Sequence, residues 1–421
     1  MDMPLKPNVL EDIARDHSIP APPPKPKFCS EDDNIMLEDE SGRICLVGDK
    51  LKSAGLVTGV ILGALGAETK EGDFEVVDYC FAEMAHQPHH ETQSMPIDVS
   101  PSDSDEWVAL VSGLEVGALS PSDAQIQLLV EFLTGESGEE HDQLLSSRIS
   151  RLIIAGNSFA EVVAATSGIE EEDRRTRRQA QETSTFTPHP TLHLAAYLSD
   201  IARSIPIHLL PGASDPSGTI LPQRCLPRAM FGDASNYSSF SCETNPAFIH
   251  ITTDPSTPSH HAKSKEASTS KSSSATGPTL NRTFLVNSGQ PVDDMYKYLP
   301  TPPHTRLSMA ESTLRWRHMA PTAPDTLWCH PYFSEDPFII TETPDFYIIG
   351  NQPEFKTKLV TDKARQRSSG GTSGIDEVES EKRCRVILVP NFRETGMIVL
   401  ANLRTLGVKT LSFAVEGMSV G

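Results

Sequence analysis

The chain has 421 residues, 38% of them hydrophobic, with 33 prolines and a formal net charge of −21. That length allows two or three domains, and the modest apolar fraction with so much proline points to folded domains interrupted by polar insertions. The acidic balance argues against broad phosphate-backbone binding, which takes clustered Lys and Arg, and fits docking onto a basic protein partner. The seven cysteines are scattered without a C-x-x-C pair, and no secretory signal is present. A reducing intracellular compartment and no structural zinc are therefore expected. No apolar run reaches membrane-spanning length, so a soluble protein with no membrane contact is expected.

In chain order, LKPNVLEDIARDHSIP (residues 5–20) predicts a short helix with Asn8 as N-cap and Glu11 in the capping-box position. A proline spacer, APPPKPK, and acidic residues 31–40 follow. Three β-type stretches come next, SGRICLVG, GLVTGVILGALGAE and FEVVDYCFAEM, the last two joined by the turn Lys70-Glu71-Gly72-Asp73. Short strands with tight turns predict a small β-barrel or meander. HQPHHETQSMPIDVSPSDSDE then reads as a linker.

From Trp107 onward short apolar strands recur: WVALVSG, SRLIIAG, IPIHLLPG, PAFIHIT, RTFLVNSG, DFYIIGN, RVILVP and GMIVLANL. Ser120-Pro121-Ser122-Asp123 predicts a helix start with proline at the first helical position. Ile126, Leu129, Val130 and Leu133 fall on one helical face, and Gly135 stops the helix. Leu194, Leu198, Ile201 and Ile205 mark a second amphipathic helix. Strands buried on both faces with helices among them predict an α/β or α+β layered domain. Residues 161–190, 254–278 and 361–382 are polar and read as surface insertions that bury too little apolar area to offset ordering entropy. No internal repeat is present.

In layered α/β domains, catalytic groups gather where strands run into loops. The loops here are VSGLEVG, AGNSF, LLPGASDP, VNSGQ and IIGNQPEF. Their order and shape resemble the five signature blocks of the calcineurin-like metallophosphoesterases, which read D-x-H, G-D-x-x-D, G-N-H-[DE], a lone His before Gly, and G-H-x-H. Two cations holding a bridging hydroxide need several carboxylate and imidazole donors, which explains those residue types. By this resemblance Ser112 and Leu114 stand in place of Asp and His, and Asn157 in place of the bridging Asp. Ala213 and Ser214 replace Asn and His, Ser288 replaces the lone His, and Asn351 and Pro353 replace the last two histidines. Leu, Ala and Pro offer no side-chain donor, serine is a poor neutral one, and an amide brings no charge. A catalytic metal site usually needs about three protein ligands. The expectation is a degenerate site with no metal, no cofactor and no catalytic residue. Asp215 survives, in a position the resemblance implies for an acid or a residue behind the ligands.

Other candidate groups have plainer readings. His86, His89 and His90 fall in the linker, and His260 and His261 in a polar insertion. His189 and His193 have i,i+4 spacing, but Pro190 and the Thr/Pro surroundings argue against the helix that would pair them. His318, inside RWRHMAPTAPDTLWCHPYF, reads as a packed or hydrogen-bonded group, and the Arg174–Arg178 cluster as a solvated loop. Phe74, Tyr79 and Phe81 lie in acidic surroundings and read as core rather than as a stacking platform for single-stranded nucleic acid. No phosphate-binding G-x-x-x-x-G-K-[ST] or nucleophile-elbow G-x-S-x-G motif occurs.

The whole chain resembles the B-type (small, regulatory) subunits of the replicative DNA polymerases alpha, delta and epsilon, nearest the delta branch. The residues that carry the likeness are GLVTGVILGALGAETKEGDFEVVDYCFAEM, VALVSGLEVG, LLPGASDPSGTILPQ, FLVNSGQPVDDMYKYL, TLRWRHMAPTAPDTLWCHPYFSEDPFII, YIIGNQPEF and NLRTLGVKTLSF. The resemblance implies an OB-like barrel within residues 1–98 and an inactive phosphoesterase-like domain over 99–421. It implies a nuclear, non-enzymatic scaffold that holds the cysteine-rich C-terminal domain of the polymerase delta catalytic subunit and a third subunit. The sliding clamp and DNA would be reached only indirectly. Family members carry a longer N-terminus ahead of the Met3-Pro4-Leu5 stretch, so the resemblance implies a barrel with a strand missing and an edge left open; a truncated gene model or alternative start is expected, the alternative being an impaired subunit. Two other readings stay open at this point: an active metallophosphoesterase or nuclease, and a single-strand-binding OB protein.

Overall fold

The computed structural model describes residues 27–30, 32–88, 105–118, 122–161, 189–253, 280–332, 334–362 and 381–414. The helix expected over residues 5–20, His89, His90, the Arg174–Arg178 cluster, His260 and His261, and most of the three polar insertions lie outside them. The first module is a four-stranded sheet in the order β1 (Ile35–Asp39), β2 (Gly42–Val47), β4 (Phe74–Cys80), β3 (Gly63–Glu68). The turn read at residues 70–73 is there: Thr69 N donates to Asp73 O at 2.7 Å, Gly72 N returns to Thr69 O, and Glu68 pairs with Phe74. Among the described residues the sheet is open, with β1 and β3 as its edges. Among the described residues the module's buried core is Leu46, Leu51 and Val76, with Phe74 and Tyr79 packed beside them.

The main body is built from apolar runs long enough to be covered twice. WVALV forms β5 (Trp107–Val111), all five residues buried. Alternation along a strand sends Trp107, Ala109 and Val111 into one core and Val108 and Leu110 into another. β6 (Ile149–Ala155) and β7 (Ile207–Leu210) divide in the same way and run parallel to β5, with β8 (Phe240–Cys242) parallel at the edge. The chain then crosses to a second sheet, in the order β12 (Lys356–Asp362), β13 (Lys382–Pro390), β11 (Phe346–Gln352), β10 (Leu280–Asn287), β9 (Ala247–Thr253). Within it β10, β11 and β13 are parallel. One helical turn, Phe392–Thr395, returns the chain to the first sheet, where β14 (Met397–Asn402) pairs antiparallel with β5, and β15 (Val408–Ser412) completes six strands.

The two sheets face each other across a core of Val108, Leu110, Ile153 and Val399 against Ile249, Phe284, Val286, Ile348 and Val389. On the far side of the six-stranded sheet lie α1 (Asp123–Thr134), then α2 (Glu140–Ser147) beside it, α3 (His189–Ala202), and a 3-10 segment over Arg228–Asn236. The five-stranded sheet is covered by α4 (Gln290–Tyr298) and α5 (Arg306–Trp316). The body is thus four layers, helix–sheet–sheet–helix, as the layered α/β reading expects.

Several expectations are corrected. The run GLVTGVILGALGAE pairs only from Gly63. Residues 55–62 instead cross to the main body, where Val57 and Val60 pack with the core under α4 and α5. A Cβ at Gly59 would stand 1.8 Å from Pro321 O, so only glycine passes there. Helix α1 starts at Asp123 with Ser122 as N-cap, which puts its start past Pro121. α3 begins at His189 with Pro190 in its first turn, where proline removes no internal hydrogen bond. The presumed helix break was wrong, and the His189 and His193 rings lie 6.5 Å apart, centroid to centroid. The near end of the linker is docked: Thr343 N donates to His86 O, and Gln87 exchanges two hydrogen bonds with the Arg383 backbone. Both ends of the third insertion are ordered too, since Thr361 and Asp362 close β12 and Lys382 opens β13.

A buried ion pair ties both sheets at the end where the parallel strands begin. Arg282 Nη1 donates to Asp345 Oδ1 at 2.8 Å and Arg282 Nε to Leu403 O at 2.6 Å, while Asp345 Oδ2 accepts from Thr283 N. Both side chains are almost wholly buried. Removing one partner of such a pair leaves an uncompensated charge, so Asp345→Ala is expected to lower stability by about 3–5 kcal/mol, read as a shift in the urea unfolding midpoint.

Candidate functional site

Because β5, β6 and β7 are parallel, and β10, β11 and β13 likewise, the carboxyl ends of both sets open onto one side of the double sheet. The chain leaves β5 at Ser112, β6 at Asn157, β7 ahead of Ala213, β10 at Ser288 and β13 at Asn391, and Asn351 sits at an irregularity in β11. The two sets approach closely. A Cβ at Gly156 would stand 2.4 Å from Ser288 Cβ, and one at Gly350 would stand 2.2 Å from Ala155 O. Side-chain-free positions are what let the sheets meet at this mouth.

Ser112 is buried and bridges the sheets. Its hydroxyl lies 3.1 Å from Pro390 O and accepts from Asn351 N at 2.9 Å. Asn351, at φ +54, donates its amide to Ser288 O at 2.9 Å and Ala155 O at 3.2 Å, while its own Oδ1 is buried without a partner. Asn157, at φ +53, accepts from Ser214 N through Oδ1 at 3.2 Å, and the Ser214 hydroxyl donates to Phe159 O at 2.6 Å. Ser288 N donates to Asn245 Oδ1, Asn245 Nδ2 donates back to Ser288 Oγ at 2.6 Å, and Ser288 Oγ also bonds Gln290 Oε1. Of the eight positions singled out in the sequence, Ser112, Asn157, Ser214, Ser288 and Asn351 are thus brought together. Leu114 is buried in the core beneath α1 and α3, and Ala213 and Pro353 are exposed to solvent.

The charged groups at the mouth are committed. Asp215 Oδ1 accepts from Phe159 N at 2.8 Å and Oδ2 from Gly212 N at 2.7 Å. Burial pushes its carboxyl above the usual value, against the opposing pull of the N–H groups of Phe159, Gly212, Ser158 and Asn157. Glu115 accepts from Asn391 Nδ2 at 2.6 Å and from Arg393 Nη1 at 2.7 Å. Among the described residues no three of His, Cys, Asp and Glu lie close enough together to share a cation. His318 bonds Asp336 through Nε2 at 2.9 Å and accepts from Ala320 N, as its packed reading expected.

Sequence reasoning missed the residues that fill the mouth. Gln223 Nε2 donates to Gly212 O at 2.9 Å, and its Oε1 accepts from Asn245 Nδ2 at 2.7 Å and from Gln290 Nε2 at 3.0 Å. Gln223, Asn245 and Gln290 form a neutral amide network. A signal was available for Asn391, since RVILVP runs into a polar residue just as the five recognised blocks do. Such a network positions backbone but offers no group to ionise water or protonate a leaving group.

Asp215→Ala would strand the buried N–H groups of Phe159 and Gly212, a loss of about 3 kcal/mol in urea unfolding, whereas Asp215→Asn, which keeps one acceptor, is expected to lose roughly half as much.

Comparison with known proteins places this geometry. Residues 108–357 match the family described as the B subunit of DNA polymerases alpha and epsilon, and residues 1–79 match the DNA polymerase delta subunit OB-fold domain. The DNA polymerase delta small subunit of Arabidopsis thaliana is 35% identical over 98% of this chain and 80% of its own length. That of Oryza sativa is 32% identical over 98% of this chain and 81% of its own length. That of Saccharomyces cerevisiae is 32% identical over 97% and 77%.

Proposed function

Since the chain belongs to the B-subunit family of DNA polymerases and is similar over nearly its whole length to polymerase delta small subunits, we propose that it is the accessory subunit of polymerase delta and acts as a non-catalytic scaffold in DNA replication. On this reading residues 1–98 and 99–421 are its two modules, the second a phosphoesterase-like sandwich that has lost its chemistry. Its partners are the catalytic subunit, held through that subunit's cysteine-rich C-terminal domain, and a third subunit. The sliding clamp and DNA are reached through them, and the place of work is the nucleus.

The observation that supports a scaffold over an enzyme is the donor set at the strand ends. A two-metal phosphoesterase would need carboxylates and imidazoles at Ser112, Leu114, Asn157, Ala213, Ser214, Ser288, Asn351 and Pro353. What stands there is neutral, and the hydroxyls and amides that converge are engaged with backbone and with one another. Asp215 and Glu115, the nearby carboxylates, already hold N–H donors. Asn351 Oδ1, the one orphaned acceptor among them, is a single uncharged oxygen. These residues do not fit a pair of divalent cations.

Coexpressed with the polymerase delta catalytic subunit, the chain is expected to copurify with it through size exclusion. Metal analysis of the purified chain is expected to show far less than one Mn or Zn per molecule, with no hydrolysis of bis(p-nitrophenyl) phosphate in added Mn. Two bound ions with phosphodiesterase turnover would replace the scaffold reading by the enzyme one.

A further inference from the structure

The segment 324–342, PDTLWCHPYFSEDPFIITE, presents apolar side chains where a layered protein usually hides them. Trp328 is 71% exposed, and Tyr332 and Ile339 are exposed as well. The segment is nevertheless held in place. Leu221 N donates to Trp328 O at 3.0 Å and His330 N donates to Leu221 O at 2.6 Å. Asp336 accepts from His318 Nε2 at 2.9 Å, from the Tyr332 hydroxyl at 3.0 Å and from Phe338 N at 2.8 Å. An exposed indole on a braced backbone loses little freedom on binding, which is why Trp dominates interface hot spots.

The segment is also tied to the other module across the seam. Thr58 Oγ1 donates to Asp325 Oδ2 at 2.8 Å. Ile61, three residues on from Thr58, is 81% exposed. Trp328 is likewise three residues on from Asp325, so each lies within about 10 Å of chain from that hydrogen bond. Charge identifies the occupant. The stretch 325–336 around Trp328 and Tyr332 carries Asp325, Glu335 and Asp336 with no Lys or Arg, in a chain of net charge −21, whereas Arg317 and His318 lie beside the Ile339 end. Such surroundings favour cations, and an indole face binds guanidinium and ammonium groups through its quadrupole.

We infer that the exposed face of this segment, Trp328, Tyr332 and Ile339, receives an Arg- or Lys-bearing apolar segment of a partner polymerase subunit, with one cationic side chain stacked on Trp328. This rests on the accessory-subunit reading and adds the surface and the chemistry of what it binds.

The test uses the full chain, with the polymerase delta catalytic subunit and the third subunit each titrated separately. Trp328→Ala is expected to weaken binding of one of them about tenfold or more with an unchanged melting curve. Glu335→Lys is expected to weaken the same partner and flatten its salt dependence. If Trp328→Ala alters melting, Ile339→Ser, at an exposed position of the same segment, carries the same comparison. Unchanged affinity for both partners overturns the inference while leaving the accessory-subunit reading intact. Loss with Trp328→Ala but none with Glu335→Lys overturns the cationic occupant. If the unsubstituted chain binds neither partner, the accessory-subunit reading fails and the inference fails with it.

Discussion

The face-to-face contact of the two sheets is the constraint on which the rest depends. Val108, Leu110, Ile153 and Val399 meet Phe284, Val286, Ile348 and Val389 in one continuous apolar cluster. With both faces of the central strands buried, each side chain must fit its own layer of close-packed neighbours, and that holds the strands in place. Two sets of parallel strands locked in this way must release their loops on one side. The mouth formed by Ser112, Asn157, Ser288 and Asn351 is therefore a consequence of the core, present whether or not chemistry happens there.

Neutral side chains at that mouth change its energetics. Like charges held at close range repel one another unless cations compensate them. An amide and hydroxyl set carries no such liability, and each member can pair with its neighbours: Gln223 with Asn245 and Gln290, Asn245 with Ser288, Asn351 with the Ser288 backbone. Once paired, these groups fasten the loops of one sheet to those of the other. Paired in this way, the network makes the mouth rigid.

Legibility in the sequence followed burial. Central strands such as WVALV and RVILVP were plain because both faces are apolar. The four strands missed, β1, β8, β12 and β15, are all sheet edges, where a half-exposed strand like KTKLVTD carries little periodic signal. Helices α2, α4 and α5 were missed as well; α2 has one buried residue in eight and hence no apolar stripe to read. At the mouth, the strand-end positions were visible as apolar runs breaking into Gly, Ser and Asn. Gln223 and Asn245 were not, because they come from irregular segments that only the tertiary fold brings to the site. Gly59 and residues 55–62 misled for a related reason: a β-type composition serves there to cross between modules and pack on α4 and α5 rather than to pair.

The small N-terminal sheet shows why the modules act together. Among the described residues its core is small, three buried side chains, and the sheet is held from outside as well. Arg317 bonds the Glu83 and Met84 carbonyls, Arg315 pairs with Glu83, and Phe28 stacks on Tyr298 while its N–H bonds Lys297 O. Met84 and Ala85 are buried in the main body's own core region. Together with the Thr58–Asp325 hydrogen bond, these contacts hold residues 55–62 against 321–328, and so hold the exposed Ile61 relative to the exposed Trp328. The buried mouth satisfies nearly all of its own polar groups, whereas Ile61 and Trp328 keep large apolar side chains in solvent.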